Sequence, residues 1–378
     1  MTTEGPVEIV EVRSRRDRED FIRLPGRLAA GDPAWVEPLH FERRQFLDPR
    51  HNPVFEHSRV RLWLARRGGR AVGRLSAQID ELAPPAEGRR VGFFGMPDAR
   101  DDAALAALFE TAEAWLRAEG AEVARGPFGL SVNQVSGLLV DGFEEPPSVM
   151  MDHHAPWLGP AVERRGYAKA RDLLAYRVDP AGRFPAAMRR AAERAGHDIA
   201  VRPLDPRRFE AEIHAVTEVF NDAWSDNWGF VPMTEAEIAA MAKELRPILP
   251  PDFVRIAERD GRAVGFIVML PNVNEAAADL GGRLLPFGWA RLLWRLKVSG
   301  VRSARVPLMG VRREVSGTPA GKLLPIRLID ALHGPALKRG VREIEMSWLL
   351  EENRGVRRLV EALGSRLAKT YRIYEKRL

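Results

Sequence analysis

The chain has 378 residues, of which 45% are hydrophobic and 29% charged, as in an ordinary globular protein of about two domains. Its formal net charge of +6 permits an anionic cofactor, lipid or nucleic acid as a partner but requires none of them. Cysteine is absent, which excludes disulfides, thiolate metal sites and a cysteine nucleophile.

Residues 1–12 are polar and acidic and lack the apolar core of a signal peptide. The sequence also contains no run of about 18 apolar residues, the length that a transmembrane helix needs. We therefore expect a cytoplasmic protein.

The first half of the chain alternates short β-rich runs with amphipathic segments. In order, these patterns predict a strand at 7–12, a helix at 16–28, a hairpin at 60–65 and 71–79, a strand at 90–96 and a helix that ends at Gly120. The glycines at 68–69 are typical of a tight turn between hairpin strands.

The second half repeats this plan. A helix face at 209–220 and a capping box at 234–237 precede a second hairpin at 254–257 and 263–270. The pentapeptide Gly-Arg-Ala-Val-Gly stands at 69–73 in the first hairpin and again at 261–265 in the second. The identical segment and the matching order of elements predict an internal duplication.

This order of elements fits neither a pure βαβ array nor an all-β plan. It predicts an α/β (α+β) fold of two tandem units, each with a mixed, mostly antiparallel sheet and helices on both faces. We place the units at 1–180 and 181–378.

The segment 303–322 is the main candidate for a chemical site. It predicts an apolar strand up to Val311, a turn, and a helix that begins at Gly321 or Lys322. The unpaired N–H groups and the dipole at a helix N-terminus favour an anion, and Arg312, Arg313 and Lys322 would add charge-assisted bonds to a phosphate. The turn has neither the Walker nor the Rossmann glycine pattern. An ordinary strand-to-helix connection with a solvated basic rim is the alternative.

The chain resembles the GCN5-related N-acyltransferase (GNAT) superfamily, in tandem and over nearly its whole length. Besides the element order, the resemblance is carried by the sequence at 220–233, by Gly126-Pro127 with Ser131-Val132-Asn133, and by 142–147. These segments look like a bacterial tandem-GNAT subfamily. Some tandem acyltransferases of this general kind are implicated in bacterial ceramide synthesis, in which a long-chain base is acylated.

The resemblance implies a site for acyl-CoA, or an acyl-carrier thioester, where the fourth strand of the C-terminal unit splays from the fifth. In register with the superfamily's pyrophosphate turn, Gly321 matches the last glycine, whereas Pro319 and Ser316 depart from the pattern. The residues that this resemblance assigns to the cofactor are Met309, Gly310, Val311, Arg312, Arg313, Gly317, Thr318, Ala320, Gly321, Lys322 and Asn353.

The N-terminal unit departs further from the superfamily. Its equivalent turn, at 97–102, contains three aspartates and would repel a pyrophosphate. We therefore expect this unit to bind no cofactor and to serve as a scaffold or as a wall on the acceptor side.

The superfamily's frequent general acid, a tyrosine, is replaced by Val360 in the second unit and by Val162 in the first. Removing a proton from an amine needs a base within reach, and the candidates are Glu314, Glu352 and His154. A solvated carboxylate or a structural histidine is the alternative at each position. No third ligand stands near the histidine pair at 153–154, so we expect no metal site.

The candidate substrate-binding residues come from loops and from the segment 284–297. This segment contains two tryptophans and only basic charges, which is typical of an interfacial membrane helix or of a lid over an acyl chain. A helix packed on the sheet is the alternative, and nucleic acid is a weaker reading of the same residues. The residues assigned to the acceptor or its lipid are Asn133, His153, Trp224, Asn227, Trp228, Trp289 and Trp294; core packing remains open for the tryptophans.

The sequence thus predicts an acyl-CoA-dependent N-acyltransferase that acts on a small-molecule or lipid amine. A long acyl chain would suit the tryptophan-rich segment, which would hold the protein peripherally at the inner membrane face. The alternatives are a catalytically silent binding protein with the same fold and, less favoured, a nucleic-acid-associated regulator.

Overall fold

A computed structural model describes residues 5–182, 184–195 and 197–378. Its strands are β1 (Glu8–Glu11), β2 (Ser58–Arg67), β3 (Arg70–Asp80), β4 (Val91–Ala99), β5 (Val123–Gly126), β6 (Leu138–Asp141), β7 (Ala168–Val178), β8 (Ala200–Pro203), β9 (Val254–Arg259), β10 (Arg262–Pro271), β11 (Ser303–Val311), β12 (Glu343–Leu350) and β13 (Arg366–Arg377).

Its α-helices are α1 (Arg15–Leu28), α2 (His40–Phe46), α3 (Asp102–Ala118), α4 (Leu158–Arg164), α5 (Ala186–Ala195), α6 (Phe209–Trp224), α7 (Glu235–Leu245), α8 (Val273–Ala277), α9 (Gly288–Trp294), α10 (Arg313–Ser316), α11 (Pro319–Lys338) and α12 (Arg354–Ala362). A π-helical turn, Arg295–Ser299, continues α9.

The chain forms two compact units. Unit 1 contains the chain up to Leu173 together with Leu280–Leu284 and Lys369–Leu378. Unit 2 contains Leu174–Asp279 and Leu285–Ala368. The boundary that the sequence predicted, at residue 180, lies a few residues after the main boundary between Leu173 and Leu174. The sequence also assigned the final strand to the second unit, whereas residues 369–378 lie in unit 1.

In unit 1 the strand order is β1-β2-β3-β4-β5-β13, with β6 also on β13. All of these pairs are antiparallel except β4 with β5. Leucines of α3 pack on one face of the sheet with Phe94 and Tyr374, and Phe21 and Leu24 of α1 belong to a separate buried cluster with Leu64. Helices therefore cover both faces.

In unit 2 the strand order is β12-β11-β10-β9-β8, and only β11 and β12 are parallel. A Cβ on Gly310 would meet Ala223 of α6, and a Cβ on Gly265 would meet Leu324 of α11. Gly310 pairs with Phe266, the neighbour of Gly265, so Gly310 and Gly265 face opposite sides of the sheet. Helices α6 and α11 therefore lie on opposite faces. The predicted mixed, mostly antiparallel sheet with helices on both faces is confirmed.

The duplicated pentapeptide forms the same structure in each unit. Gly69 and Gly261 both occupy the turns of their hairpins with positive φ, at +74° and +75°, where glycine has no steric penalty. Gly73 then faces Ala99 of β4, and Gly265 faces Val311 of β11. These pairs align the two units residue by residue at the strand that precedes the candidate site.

Candidate functional site

A wedge opens between β11 and β12 of unit 2. Their parallel ladder runs from Ser303, opposite Glu343, to Val306, opposite Met346, and stops there. Both strands continue, β11 to Val311 and β12 to Leu350. We call the opening between residues 307–311 of β11 and 347–350 of β12 the wedge. The resemblance implied that these two strands splay apart, and they separate just after Met346.

The backbone of β11 presents donors to this wedge. The N–H of Arg312 donates to the carbonyl of Val264 in β10, at 2.8 Å. Because successive residues of a strand point their N–H groups to alternate sides, the N–H groups of Met309 and Val311 point away from β10 and towards the wedge. The carbonyl of Met309 points the same way as its N–H, as in any extended strand, and it accepts the indole N–H of Trp224 at 3.2 Å.

Helix α6 forms an aromatic wall beside the wedge. The rings of Phe220 and Trp224 lie 5.0 Å apart, and Phe220 also contacts Phe230 at 5.8 Å. Trp224, predicted to bind the acceptor, is thus adjacent to Met309, which was predicted to bind the thioester. Trp228 is half-buried and Asn227 is exposed on the following loop.

The first turn of α11 has fewer free donors than an ordinary helix N-terminus. Thr318 is the N-cap, and its Oγ1 accepts the N–H of Gly321 at 3.0 Å. Pro319 has no N–H to give. Ala320 therefore supplies the one remaining N–H of the first three helical positions.

Gly321 has a packing role at this turn. A Cβ at this position would lie 1.9 Å from the carbonyl oxygen of Val315 in α10. The glycine lets α10 close against the first turn of α11. Lys322, the next residue, is exposed at the same helix end.

The two arginines of the turn are bound to the protein itself. Arg312 is buried, donating from Nε to the carbonyl of Ala263 at 2.8 Å and from a terminal nitrogen to Glu218 at 3.0 Å. Arg313 donates its backbone N–H to Asp222 at 2.8 Å, and its guanidinium pairs with nearby carboxylates. Through these contacts both arginines help to hold the turn in place.

A buried polar network lies at the closed end of the wedge. Arg305 has no exposed surface; its Nε donates to the hydroxyl of Ser347 at 2.8 Å, and its guanidinium lies 4.5 Å from the ring of Trp348. The hydroxyl of Ser347 donates to Glu345 at 2.9 Å, and Arg177 approaches the same carboxylate at 3.4 Å. The network ties β12 to β11 just before the strands part.

Sequence reasoning missed this network, although a signal was present. Arg305 interrupts an apolar strand, and Glu345 and Ser347 alternate with apolar residues on β12. Charged residues at alternate positions of a central strand indicate a buried polar face rather than a solvated one.

The candidate bases lie in different surroundings. Glu314 is exposed and pairs with Arg262 at 3.3 Å, and Glu352 is exposed. His154 is buried in unit 1, where its Nδ1 accepts the N–H of Leu139 at 3.1 Å, and burial lowers its pKa. This imidazole therefore accepts a backbone hydrogen bond inside the fold, as the structural alternative for His154 implies.

The remaining predicted residues also have structural contacts. Asn353 caps α12, its Oδ1 accepting the N–H of Val356 at 3.2 Å. His153 and Asn133 belong to unit 1, where His153 contacts Asp32 at 2.9 Å. Burial is the main cause that lowers the pKa of His153.

The corresponding position in unit 1 lacks the backbone donor. Ala99 faces Gly73 as Val311 faces Gly265, so Pro97 stands where Met309 stands in unit 2. Proline has no N–H. The counterpart of the donor that points into the wedge is therefore missing.

The chain itself also occupies this region of unit 1. The β4–β5 ladder ends at Phe93, opposite Arg125, but Phe128 then donates its N–H to the carbonyl of Phe94 at 2.9 Å. A Cβ on Gly95 would lie 1.7 Å from the carbonyl oxygen of Phe128. The segment after β5 thus lies directly against β4.

The acidic turn of unit 1 is engaged by its own side chains. Asp101 caps α3 by accepting the N–H of Ala104 at 3.0 Å, and it pairs with Arg67 at 2.6 Å. Asp98 pairs with Arg74 at 2.8 Å. A carboxylate therefore takes the helix N-terminus where a phosphate would bind.

The segment 284–297 exposes large apolar side chains. Helix α9 carries Trp289 and Trp294 with 51% and 57% of their surfaces exposed, and Leu285 is 80% exposed. Arg291 and Arg295 both pair with Asp279, so one carboxylate offsets one of these two positive charges. None of the described helices is both long and apolar enough to cross a bilayer.

Solved structures place the chain in one fold class. It aligns with a tandem GNAT protein of the clavulanic acid biosynthesis pathway over 98% of both chains, with a TM-score of 0.56 and 14% identity. It aligns over 99% of its length with the GCN5-related glucosamine N-acetyltransferase region of a fungal multi-domain β-N-acetylglucosaminidase, with a TM-score of 0.60 and 12% identity. The chain spans 38% of that fungal protein. The protein has the tandem GNAT fold, as the sequence resemblance implied.

Two bacterial proteins define its family. The chain is 49% identical to bacterial ceramide synthase of Caulobacter vibrioides, over 100% of this chain and 99% of that protein. It is 45% identical to protein YghO of Escherichia coli, over 97% of this chain and 94% of that protein. No protein-family model matches the sequence. The chain belongs to the family of bacterial ceramide synthase and YghO.

Proposed function

We propose that the protein is an N-acyltransferase that moves an acyl group from acyl-CoA, or an acyl-carrier thioester, to an amine. The observation that carries the proposal is the wedge, in which the β11–β12 ladder stops at Val306 and Met346 and the N–H of Met309 is directed into the opening. The family relationship supports a lipid amine as acceptor, because a ceramide is the amide of a long-chain amino alcohol and a fatty acid.

The reaction would be a direct transfer. The amine nitrogen attacks the thioester carbonyl carbon, a C–N bond forms, the C–S bond breaks, and the thiol leaves with a proton. The Met309 N–H would stabilise the negative charge that develops on the carbonyl oxygen. Trp224, bonded to the Met309 carbonyl, would hold this strand and form the adjoining wall for the acceptor.

The phosphates of the donor would bind at the N-terminus of α11. Ala320 would supply a backbone N–H, the helix dipole would favour the negative charge, and Lys322 would add a charge-assisted bond. With Pro319 in the turn and Gly321 capped by Thr318, we expect fewer backbone bonds to the pyrophosphate than a full glycine turn would make.

The base that accepts the amine proton would be a carboxylate reached directly or through water, with Glu314 and Glu352 as the exposed choices of unit 2. Unit 1 would bind no thioester. Pro97, the packed segment at Phe128 and the acidic cap Asp101 all act against it, so this unit would serve as a scaffold.

Calorimetry with CoA and with palmitoyl-CoA tests the proposal. We expect binding of both, and a loss of affinity for CoA of about three- to tenfold in Lys322→Gln, in line with one charge-assisted contact. Lys338→Gln, at the opposite end of the same helix, is the matched control and should bind as the wild type does. Absence of binding at millimolar concentration would end the acyltransferase proposal.

A catalytically silent binding protein is the second candidate. The observation that favours it is the reduced donor set at α11, where Pro319 and the capped Gly321 replace two N–H groups. It predicts that CoA binds but that no amide forms when palmitoyl-CoA is mixed with a long-chain amino alcohol. Detection of the amide by mass spectrometry rejects it.

We further propose that the segment 284–297 contacts a membrane surface from the cytoplasmic side. Exposed tryptophan and leucine side chains bury favourably at the level of lipid headgroups, and Lys297, which is exposed, adds attraction to anionic lipids. Arg291 and Arg295 share Asp279, so this group keeps one net positive charge that adds to that of Lys297.

Flotation with phosphatidylglycerol-containing vesicles tests this contact. Trp289→Asp with Trp294→Asp should reduce the floating fraction strongly. Phe41→Asp with Leu82→Asp changes exposed apolar side chains elsewhere and should leave it unchanged. Equal flotation of the two double variants and the wild type would contradict the proposal.

A further inference from the structure

An apolar cavity lies beneath α11 in unit 2. Its volume is about 50 Å³, so it has room for the end of a hydrocarbon chain rather than for a whole ligand. Its walls include Val306 of β11, Ile344 and Met346 of β12, and Ile329 and Leu332 of α11. The lining is mostly apolar, with Asp179 and His333 as its ionisable members, and it suits a hydrocarbon ligand.

The cavity adjoins the closed end of the wedge. Val306 and Met346, which line it, are the last paired residues of the β11–β12 ladder. Neighbouring residues of a strand face opposite sides, so Val306 lies on the apolar face while Arg305 lies on the polar one. A linear chain that starts at the wedge therefore meets the cavity within a residue or two of the last pair.

We infer that this cavity holds the distal part of the acyl chain of the thioester donor. The inference rests on the proposed function and adds to it a location for the chain and the residues that set its length. The donor is the favoured occupant because the cavity lies under α11, whose N-terminus is the phosphate end of the proposed site. The acceptor's proposed wall, at Trp224, lies on the opposite face with α6.

The cavity also has one polar feature in an otherwise apolar wall of α11. The Nε2 of His333, which lines it, is buried and has no hydrogen-bond partner among the described residues. A saturated acyl chain forms no hydrogen bond with this nitrogen. The dependence of affinity on chain length should therefore come from apolar contact alone.

Substitutions that fill the cavity test the inference. Ile329→Trp projects a larger side chain into it from α11, and Leu363→Trp does so from the half-buried end of α12. Leu337→Trp is the matched control, because it lies on the same helix and is exposed. The probes are CoA, octanoyl-CoA and palmitoyl-CoA, with affinities measured by calorimetry.

Each methylene kept out of an apolar site lowers affinity roughly fourfold. If the indole displaces about three methylenes, palmitoyl-CoA should bind roughly 60-fold more weakly to either filled variant. CoA should bind within about twofold of wild type, and octanoyl-CoA should be affected less than palmitoyl-CoA. Leu337→Trp should match the wild type with all three probes.

The outcomes separate this inference from the proposed function. If wild type binds none of the probes, the acyltransferase proposal fails first. If it binds them and both filled variants, folded by thermal melting, keep the wild-type preference for palmitoyl-CoA, the cavity does not hold the donor chain. If the filled variants instead lose affinity for a long-chain amino alcohol and keep it for palmitoyl-CoA, the cavity belongs to the acceptor and the inference is overturned.

Discussion

Replacement of Met309 by proline would remove the proposed oxyanion donor and little else. The N–H of Met309 points away from β10, so its loss breaks no bond of the β10–β11 ladder. Unit 1 carries a proline, Pro97, at the aligned position, where the register of β4 shifts beside Met96. The substitution therefore removes the N–H donor and keeps the hydrogen bonds between β10 and β11.

Removal of one backbone donor from an oxyanion site costs roughly 2.7–4 kcal/mol, or about 100- to 1,000-fold in kcat. We expect a loss of this size in Met309→Pro when amide formation from palmitoyl-CoA is followed by mass spectrometry. Affinity for CoA should change by no more than a few-fold, because the phosphates bind at α11.

Met309→Ala is the control, since it shortens the side chain but keeps the N–H. It should retain most of the wild-type kcat. A Met309→Pro enzyme that folds and turns over at the wild-type rate would refute the assignment of the donor. Equal losses in the two variants would assign the effect to the side chain.

Two further predictions concern stability. Arg305→Met should lower the free energy of unfolding by about 3 kcal/mol, because it removes a cation from a buried polar network. Arg302→Met, at the exposed residue just before β11, is the control and should change it by less than about 0.5 kcal/mol. Urea denaturation measures both, and similar values would contradict the role of the network. Burial lowers the pKa of His154, so the unfolded chain binds its proton first and stability should fall as the pH drops below the unfolded value of about 6.5, by up to about 1.4 kcal/mol per pH unit. In His154→Asn the amide oxygen can accept the Leu139 N–H without titrating, so urea midpoints should depend less steeply on pH; an unchanged slope would exclude His154 as its source.

The tandem fold was predictable because its signals are local. Hairpin glycines, capping boxes and the repeated pentapeptide all act over a few residues, and the element order follows from them. The opening beside Met309 was also expected, since the resemblance placed it at that strand pair. The pairing register then supplied what the sequence lacked, namely which N–H groups of β11 face the opening.

The sequence could not show the partners of side chains whose contacts are distant along the chain. Arg312 resembles a phosphate ligand beside its turn, but Glu218 and the carbonyl of Ala263 bind it in the structure. His154 resembles a base until Leu139 is brought against it. Such long-range contacts leave no periodic pattern in the sequence, and the cavity under α11 is assembled from segments that no local motif connects.

Strand β13 ends in unit 1, and this affects how the chain folds during synthesis. Residues at the end of β13 pair with β5, from Tyr374 opposite Gly126 to Arg377 opposite Val123, and Tyr374 is fully buried in that core. During translation, the sheet of unit 1 therefore cannot close until residues 374–377 have been made. A chain that stops before residue 374 would leave β5 as an exposed sheet edge, which favours aggregation.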